Sequence, residues 1–192
     1  SFCMCPGGFI VPAATAPGEV VVNGMSPSKR NNLYANSGIV VEINVDAEIP
    51  KLEKFGALKG LEYQKNLERL AFTSGGRTQT APAQRLTDFV EGTLSTDLNP
   101  TSYQPGLKSA PMHSLLPKLI GSRLRQGFFE FGRKMKGYYT TEANIVGVES
   151  RTSSPVTIPR NQQLEHPEIK GLFPCGEGGG YAGGIVSAAM DG

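Results

Sequence analysis

The chain has little net charge, few thiols, few imidazoles and no long apolar run. Lys and Arg number 19 against 17 Asp and Glu in 192 residues, too small an excess to argue for nucleic acid or an anionic membrane surface as a main partner. No stretch reaches the roughly 18 uninterrupted apolar residues of a spanning helix, and no basic segment leads into an apolar signal core. The reading is cytoplasmic, with no membrane partner. Cys3, Cys5 and Cys175 make an odd number of thiols in a chain this large, which argues against a disulfide scaffold. A structural zinc site wants about four soft ligands at short spacing. One C-x-C pair and two distant histidines, His113 and His166, fall short of that, so no metal is expected. Neither histidine has a visible partner for nucleophilic chemistry. G-x-S-x-G, a Walker lysine motif, H-E-x-x-H and a fixed-period repeat are all missing from the sequence.

What is present is a globular composition, 39% apolar, enough for one real core. Both ends read as cut, because Ser1-Phe2-Cys3-Met4-Cys5 opens on apolar residues and Asp191-Gly192 stops barely two turns into a helix. The expectation is a fragment of a longer protein. Residues 1–45 are strand-rich, with β-branched runs at Phe9-Ile10-Val11, Glu19 to Val22 and Ile39 to Ile43 bounded by Gly, Pro, Asn or Ser. Residues 46–143 read as a helical substrate-side or cap region. Tyr63, Leu67, Leu70 and Ala71 form one apolar face, closed by Gly75-Gly76. In a longer helix Leu116, Ile120, Leu124, Phe128, Phe131 and Met135 repeat at helical spacing, with Ser114 as candidate cap and Pro117 in the first turn. Gly121 and Gly127 weaken it by about 1 kcal/mol each relative to Ala. Residues 144–192 return to strands at Ile145 to Val148, Val156 to Ile158 and Leu172-Phe173. The fold class expected is α+β, a mixed or antiparallel sheet with a helical insertion.

The most informative stretch is GLFPCGEGGGYAGG, residues 171–184, with a formal G-x-G-x-x-G at Gly178, Gly180 and Gly183. A dinucleotide fingerprint needs an apolar strand ahead of the glycines and an acidic residue about 20 positions on. Pro174 spoils the strand by removing a backbone donor, and Glu177 stands just ahead of the first glycine. A carboxylate about 4 Å from a phosphate repels it by roughly 4 kcal/mol at an effective dielectric of 20. It accepts hydrogen bonds from neutral hydroxyls without that penalty. Glu177 therefore suits a polyol, while the glycines let backbone approach a ligand and a helix beginning near Ile185 aims its first amides at partial negative charge. The alternative is a glycine-rich turn that only packs backbone, in a non-catalytic binding domain.

GLFPCGEGGGYAGGIVSAAMDG resembles the C-terminal flavin-contacting segment of FAD-dependent oxidoreductases. Together with SFCMCPGG at 1–8, NGMS at 23–26, APAQRLTDFVEG at 81–92 and GVESRTSSPVTIPR at 147–160, the chain is similar to the C-terminal part of a bacterial family of FAD-dependent dehydrogenases. The resemblance implies that Glu177 contacts the ribityl hydroxyls and that Gly183, Gly184 and Ile185 face the pyrimidine edge, with Gly176, Gly178 and Gly179 shaping the same loop. It implies an oxidoreductase that passes a hydride to or from FAD. The family's N-terminal Rossmann unit is missing here, so the resemblance also implies a missing dinucleotide-binding domain as partner and a fragment that holds FAD weakly or not at all. The substrate is an unidentified small molecule, and truncated edges leave homo-oligomerisation open.

Other residues carry two readings each. In an extended strand Cys3 and Cys5 share one face and could approach a flavin or substrate, or they are buried inert thiols. Arg77, Arg85, Arg151 and Arg160 could fork onto an acidic substrate or form structural salt bridges. Cys5, Arg85 and Arg151 are the substrate candidates; no catalytic residue can be named.

Overall fold

The computed structural model describes residues 3–192. In chain order the elements are β1 (Cys3–Cys5), β2 (Phe9–Pro12), β3 (Val22–Met25), β4 (Asn36–Gly38), α1 (Val45–Glu48), a 3-10 segment (Pro50–Leu58), α2 (Lys59–Ser74), β5 (Ala81–Arg85), α3 (Leu86–Glu91), β6 (Leu107–Ser109), α4 (Met112–Leu115), α5 (Lys118–Lys134), β7 (Asn144–Val146) and α6 (Ile185–Asp191). The architecture is α+β. Two antiparallel ribbons, β1 with β4 and β2 with β3, accompany a three-stranded sheet ordered β6-β5-β7. In that sheet β5 runs parallel to β6 and antiparallel to β7.

The chain divides into two compact units that interleave along the sequence. The first runs up to Glu42 and resumes at Asn66–Ser150; the second comprises Ile43–Lys65 and Arg151–Gly192. Division by composition instead cuts at 45/46 and 143/144.

Both hydrophobic cores lie in the first unit. One gathers Val20, Val22, Ala71, Ala81 and Tyr103; the other gathers Leu86, Phe89, Met112, Leu116 and Phe128. Phe89 and Phe128 meet edge to face at 5.9 Å, the geometry that aromatic quadrupoles favour. The buried Gln84 of β5 ties the sheet to α4. Its side-chain carbonyl accepts from the His113 amide at 3.1 Å and its amide nitrogen bonds His113 Nδ1 at 2.8 Å and the Thr93 carbonyl. His113 is thereby a partner of a core amide, which settles its structural role.

Several expected elements differ, each for a local reason. The Glu19 to Val22 run is buried, yet two of its amides bond away from β2: the Val20 amide donates to the Glu68 carbonyl and the Val22 amide to the Val148 carbonyl. The strand proper starts at Val22. The expected strands at Ile39 to Ile43, Val156 to Ile158 and Leu172-Phe173 are irregular; the Leu172 amide closes a turn onto Ile169 and the Ile158 amide donates to the Gly179 carbonyl. Ser114 does not cap the long helix; it sits inside α4 with its hydroxyl donating to the Pro111 carbonyl, and Pro117 is the N-cap of α5. The central strand β5, sequence APAQR, carries no β-branched residue and contains Pro82, a poor candidate by propensity. Pro82 survives there because its carbonyl still accepts, from Gly147 at 3.0 Å. Among the described residues no helix is long and apolar enough to cross a membrane.

Candidate functional site

The glycine-rich loop lies in the second unit. Among the described residues no strand leads directly into it, so the strand, glycine turn and helix of a dinucleotide fold are not assembled at this loop. The loop is held from beneath. Gly176 adopts φ +62° and its amide donates to Asp191 Oδ2 at 2.8 Å. The Gly180 amide closes a turn onto the Glu177 carbonyl at 3.0 Å, and the Tyr181 amide reaches the Gly176 carbonyl at 3.0 Å. Gly180 needs its missing side chain: φ is +82°, and a Cβ there would lie 2.5 Å from the Val156 carbonyl oxygen.

One arginine organises this underside. Arg160 forks onto Asp191, with Nη1 to Oδ2 at 2.9 Å and Nη2 to Oδ1 at 2.7 Å, and Nη1 also donates to the Pro174 carbonyl at 3.0 Å. Its guanidinium lies 3.6 Å from the centroid of Tyr181, whose hydroxyl donates to the Ile158 carbonyl at 2.8 Å. A planar fork on a carboxylate combined with stacking is what Arg provides and Lys cannot. The Arg160 hydrogen bond, followed by the Gly176 amide, holds the Asp191 carboxyl below its ordinary value. The same bond raises Arg160.

The upper edge is different. Glu177 is exposed, and among the described residues no hydrogen bond or ion pair engages its carboxylate. A Cβ at Gly178 or at Gly183 would meet nothing within 4 Å. Gly184 caps α6 from extended backbone without a side-chain bond, and Ile185 is 92% exposed. The loop thus offers a carboxylate and bare backbone on one side while the other is fastened. Gly176 and Gly179 belong to the fastened side, packed against Ala188 and Cys175. At two turns, α6 is too short for its dipole to contribute much.

The other candidates each have surroundings of their own. Arg85 is consumed internally, with Nη2 on Asp97 Oδ1 at 2.8 Å, Nε on the Asp97 carbonyl at 3.2 Å and Nη1 on the Thr141 carbonyl at 3.1 Å. Of its two readings, these partners match the salt-bridge one. Arg151 is half-buried and already partnered. Cys5 is buried in β1, in the first unit. Sequence reasoning flagged Arg160 without its partner, since 31 positions separate it from Asp191 and no spacing rule links them. Among the described residues no group of three or more His, Cys, Asp and Glu is placed to hold a metal.

A family model described as FAD-dependent protein, C-terminal domain-like, matches residues 1–152. An uncharacterized protein of Clostridium beijerinckii is 42% identical over 194 residues, covering all of this chain and 36% of its own length. The chain therefore spans about a third of that curated relative. The glycine-rich loop lies beyond the residues matched by the family model and within the similarity to the relative.

Proposed function

We propose that this chain, which belongs to the family described as FAD-dependent protein, C-terminal domain-like, is the C-terminal part of an FAD-dependent dehydrogenase and contributes the ribityl side of its flavin site through the loop at 174–184. One observation carries the reading: a tightly fastened loop presents a carboxylate, Glu177, that is unpaired among the described residues, beside backbone at Gly178 and Gly183 with no described atom within 4 Å of a Cβ there.

The donor set fits a flavin's neutral polyol. Glu177 accepts from hydroxyls, whereas a pyrophosphate there would be repelled. FAD, when bound, supplies two-electron redox chemistry. The chain's own part is positional: Glu177 orients the sugar-alcohol chain, the bare glycines admit close approach, and the Arg160–Asp191 clamp keeps the loop from yielding. Phosphate binding falls to polypeptide outside this chain, so the fragment alone holds FAD weakly. That polypeptide would also cover the apolar face of the second unit, where Val186 is 71% and Met190 83% exposed beside Ile185.

The test is FAD titration of the full-length parent and its Glu177→Ala variant, read by visible flavin absorbance. Loss of a charge-assisted hydrogen bond at a partly desolvated site predicts about tenfold weaker binding or more. Equal affinity in the two proteins, or a full-length parent that never acquires flavin absorbance, overturns the reading.

A further inference from the structure

The first unit carries a second group of reactive side chains that the flavin reading does not use. In β1 the side chains of Cys3 and Cys5 leave the same face, because strand side chains alternate. The ladder with β4 sets Cys3 opposite Gly38 and Cys5 opposite Asn36. Glycines stand where bulk would cover the sulfurs. A Cβ on Gly38 would lie 3.3 Å from Cys3 Sγ and 2.5 Å from Glu149 Oε2, and one on Gly24 would lie 3.2 Å from Cys5 Sγ. The Cys3 thiol and the Glu149 carboxylate therefore flank one small space, and the two thiols are within interaction range of each other.

Two polar groups around this space lack partners. Asn36 Nδ2 is buried without an acceptor, and among the described residues no hydrogen bond reaches the half-buried Glu149 carboxylate. Burial raises the Glu149 carboxyl above its usual value, making it a better proton acceptor than an ordinary glutamate. Burial likewise raises the Cys3 thiol, with Glu149 and Cys5 adding to the effect; a neighbouring base is what such a thiol needs to become a nucleophile. Exposure assigns the order, since Cys3 is half-buried and Cys5 only 8% exposed.

We propose that Cys3 and Cys5 are a redox-active dithiol that reduces small-molecule disulfides, with Cys3 attacking, Cys5 resolving and Glu149 accepting the Cys3 proton. The Cys3 sulfur, as it loses its proton to Glu149, attacks one sulfur of the substrate disulfide and expels the first thiolate, leaving a mixed disulfide. Cys5 then attacks the Cys3 sulfur as its proton passes to the departing second thiolate, which closes an intramolecular bond; the proton on Glu149 goes to the first thiolate. Two S–H bonds are lost, one S–S bond forms in the protein, and the substrate disulfide is reduced to two thiols. In an extended strand, Cα atoms two residues apart are about 6.6 Å apart at the usual rise per residue. That lies within the roughly 4.4 to 6.8 Å that disulfides span, so the bond can close within one strand. This chemistry is independent of whether the loop at 174–184 contacts flavin.

The test uses Cys175→Ser, which removes the exposed thiol, treated with dithionitrobenzoate, an aromatic disulfide. Two equivalents of thionitrobenzoate released, with a protein mass lower by two hydrogens and peptide mapping that joins Cys3 to Cys5, is the expected result. Cys5→Ser in that background should instead retain one adduct on Cys3, and Glu149→Gln should slow the first release at neutral pH by at least about tenfold. Stable adducts on both cysteines, or no reaction in the folded protein, overturns the proposal, as does an unchanged rate in Glu149→Gln for the part assigned to Glu149.

Discussion

Arg160 and Asp191 decide the shape of the glycine-rich loop, and their charges set a pH signature. The Asp191 carboxyl is held below its ordinary value by Arg160 and the Gly176 amide. A depressed folded value means the clamp contributes fully at neutral pH and is lost as pH falls through that value, below the usual carboxylate range. Melting temperatures of the wild type and Asp191→Asn should therefore differ by a constant amount near neutrality and converge in acid. Hydrogen exchange at the Gly176 amide should be faster in the variant at neutral pH. Glu149 behaves in the opposite sense. Its folded value is raised by burial, so ionising it costs stability as pH rises. Glu149→Gln should melt higher than the wild type at neutral pH, with the gap closing below the ordinary carboxylate range. Both comparisons need only thermal scans across pH.

At the scale of elements, α5 shows how neighbours rather than propensity set the effect of a residue. Phe128 faces the core at 4% exposure while Phe129 is 55% exposed. Phe128→Ala should cost about 3 to 5 kcal/mol in urea unfolding, and Phe129→Ala within about 0.5 kcal/mol. The helix glycines divide in the same way. A Cβ on Gly127 meets nothing within 4 Å, whereas one on Gly132 would lie 2.7 Å from Tyr139 Cβ. Gly127→Ala should stabilise by about 0.5 to 1 kcal/mol through better helix propensity and a less flexible unfolded chain. Gly132→Ala should destabilise, because the Tyr139 segment must move. Denaturant midpoints of the two variants give opposite signs if the packing is as described.

At the scale of the whole molecule, the two units differ in what holds them. The first owns both aromatic and aliphatic cores. In the second, Ile49 is buried while Phe173, Ile185, Val186 and Met190 are exposed. Under the proposed reading, polypeptide from the rest of the parent protein covers that face. Mild peroxide should then oxidise Met190 quickly in this chain and slowly in the full-length protein, with Met112, 1% exposed, protected in both. Equal Met190 oxidation in both proteins would remove the argument for a covering segment.

Ile120, Leu124, Phe128 and Phe131 of the long apolar repeat and the face of Tyr63, Leu67, Leu70 and Ala71 were legible as helices, because a 3.6-residue period is a local property of the chain; the ends of that repeat, Leu116 and Met135, are extended residues flanking α5. The alternation of α and β text was enough for the α+β class, and a proline and a carboxylate ahead of the glycines were enough to argue against a phosphate cradle at 171–184. The sequence could not reveal β5, whose Ala and Pro residues form a central strand only because β6 and β7 flank them. Nor could it tell which runs of Val and Ile would join a ladder and which would bond elsewhere. The fate of the arginines was also beyond it: Asp97 claims Arg85 and Asp191 claims Arg160 across loops that carry no periodic signal. Local patterns determined α2, the body of α5 and the α+β class. Tertiary structure alone decided which charges were spent inside the protein, because pairing depends on distances in space that the order of residues does not encode.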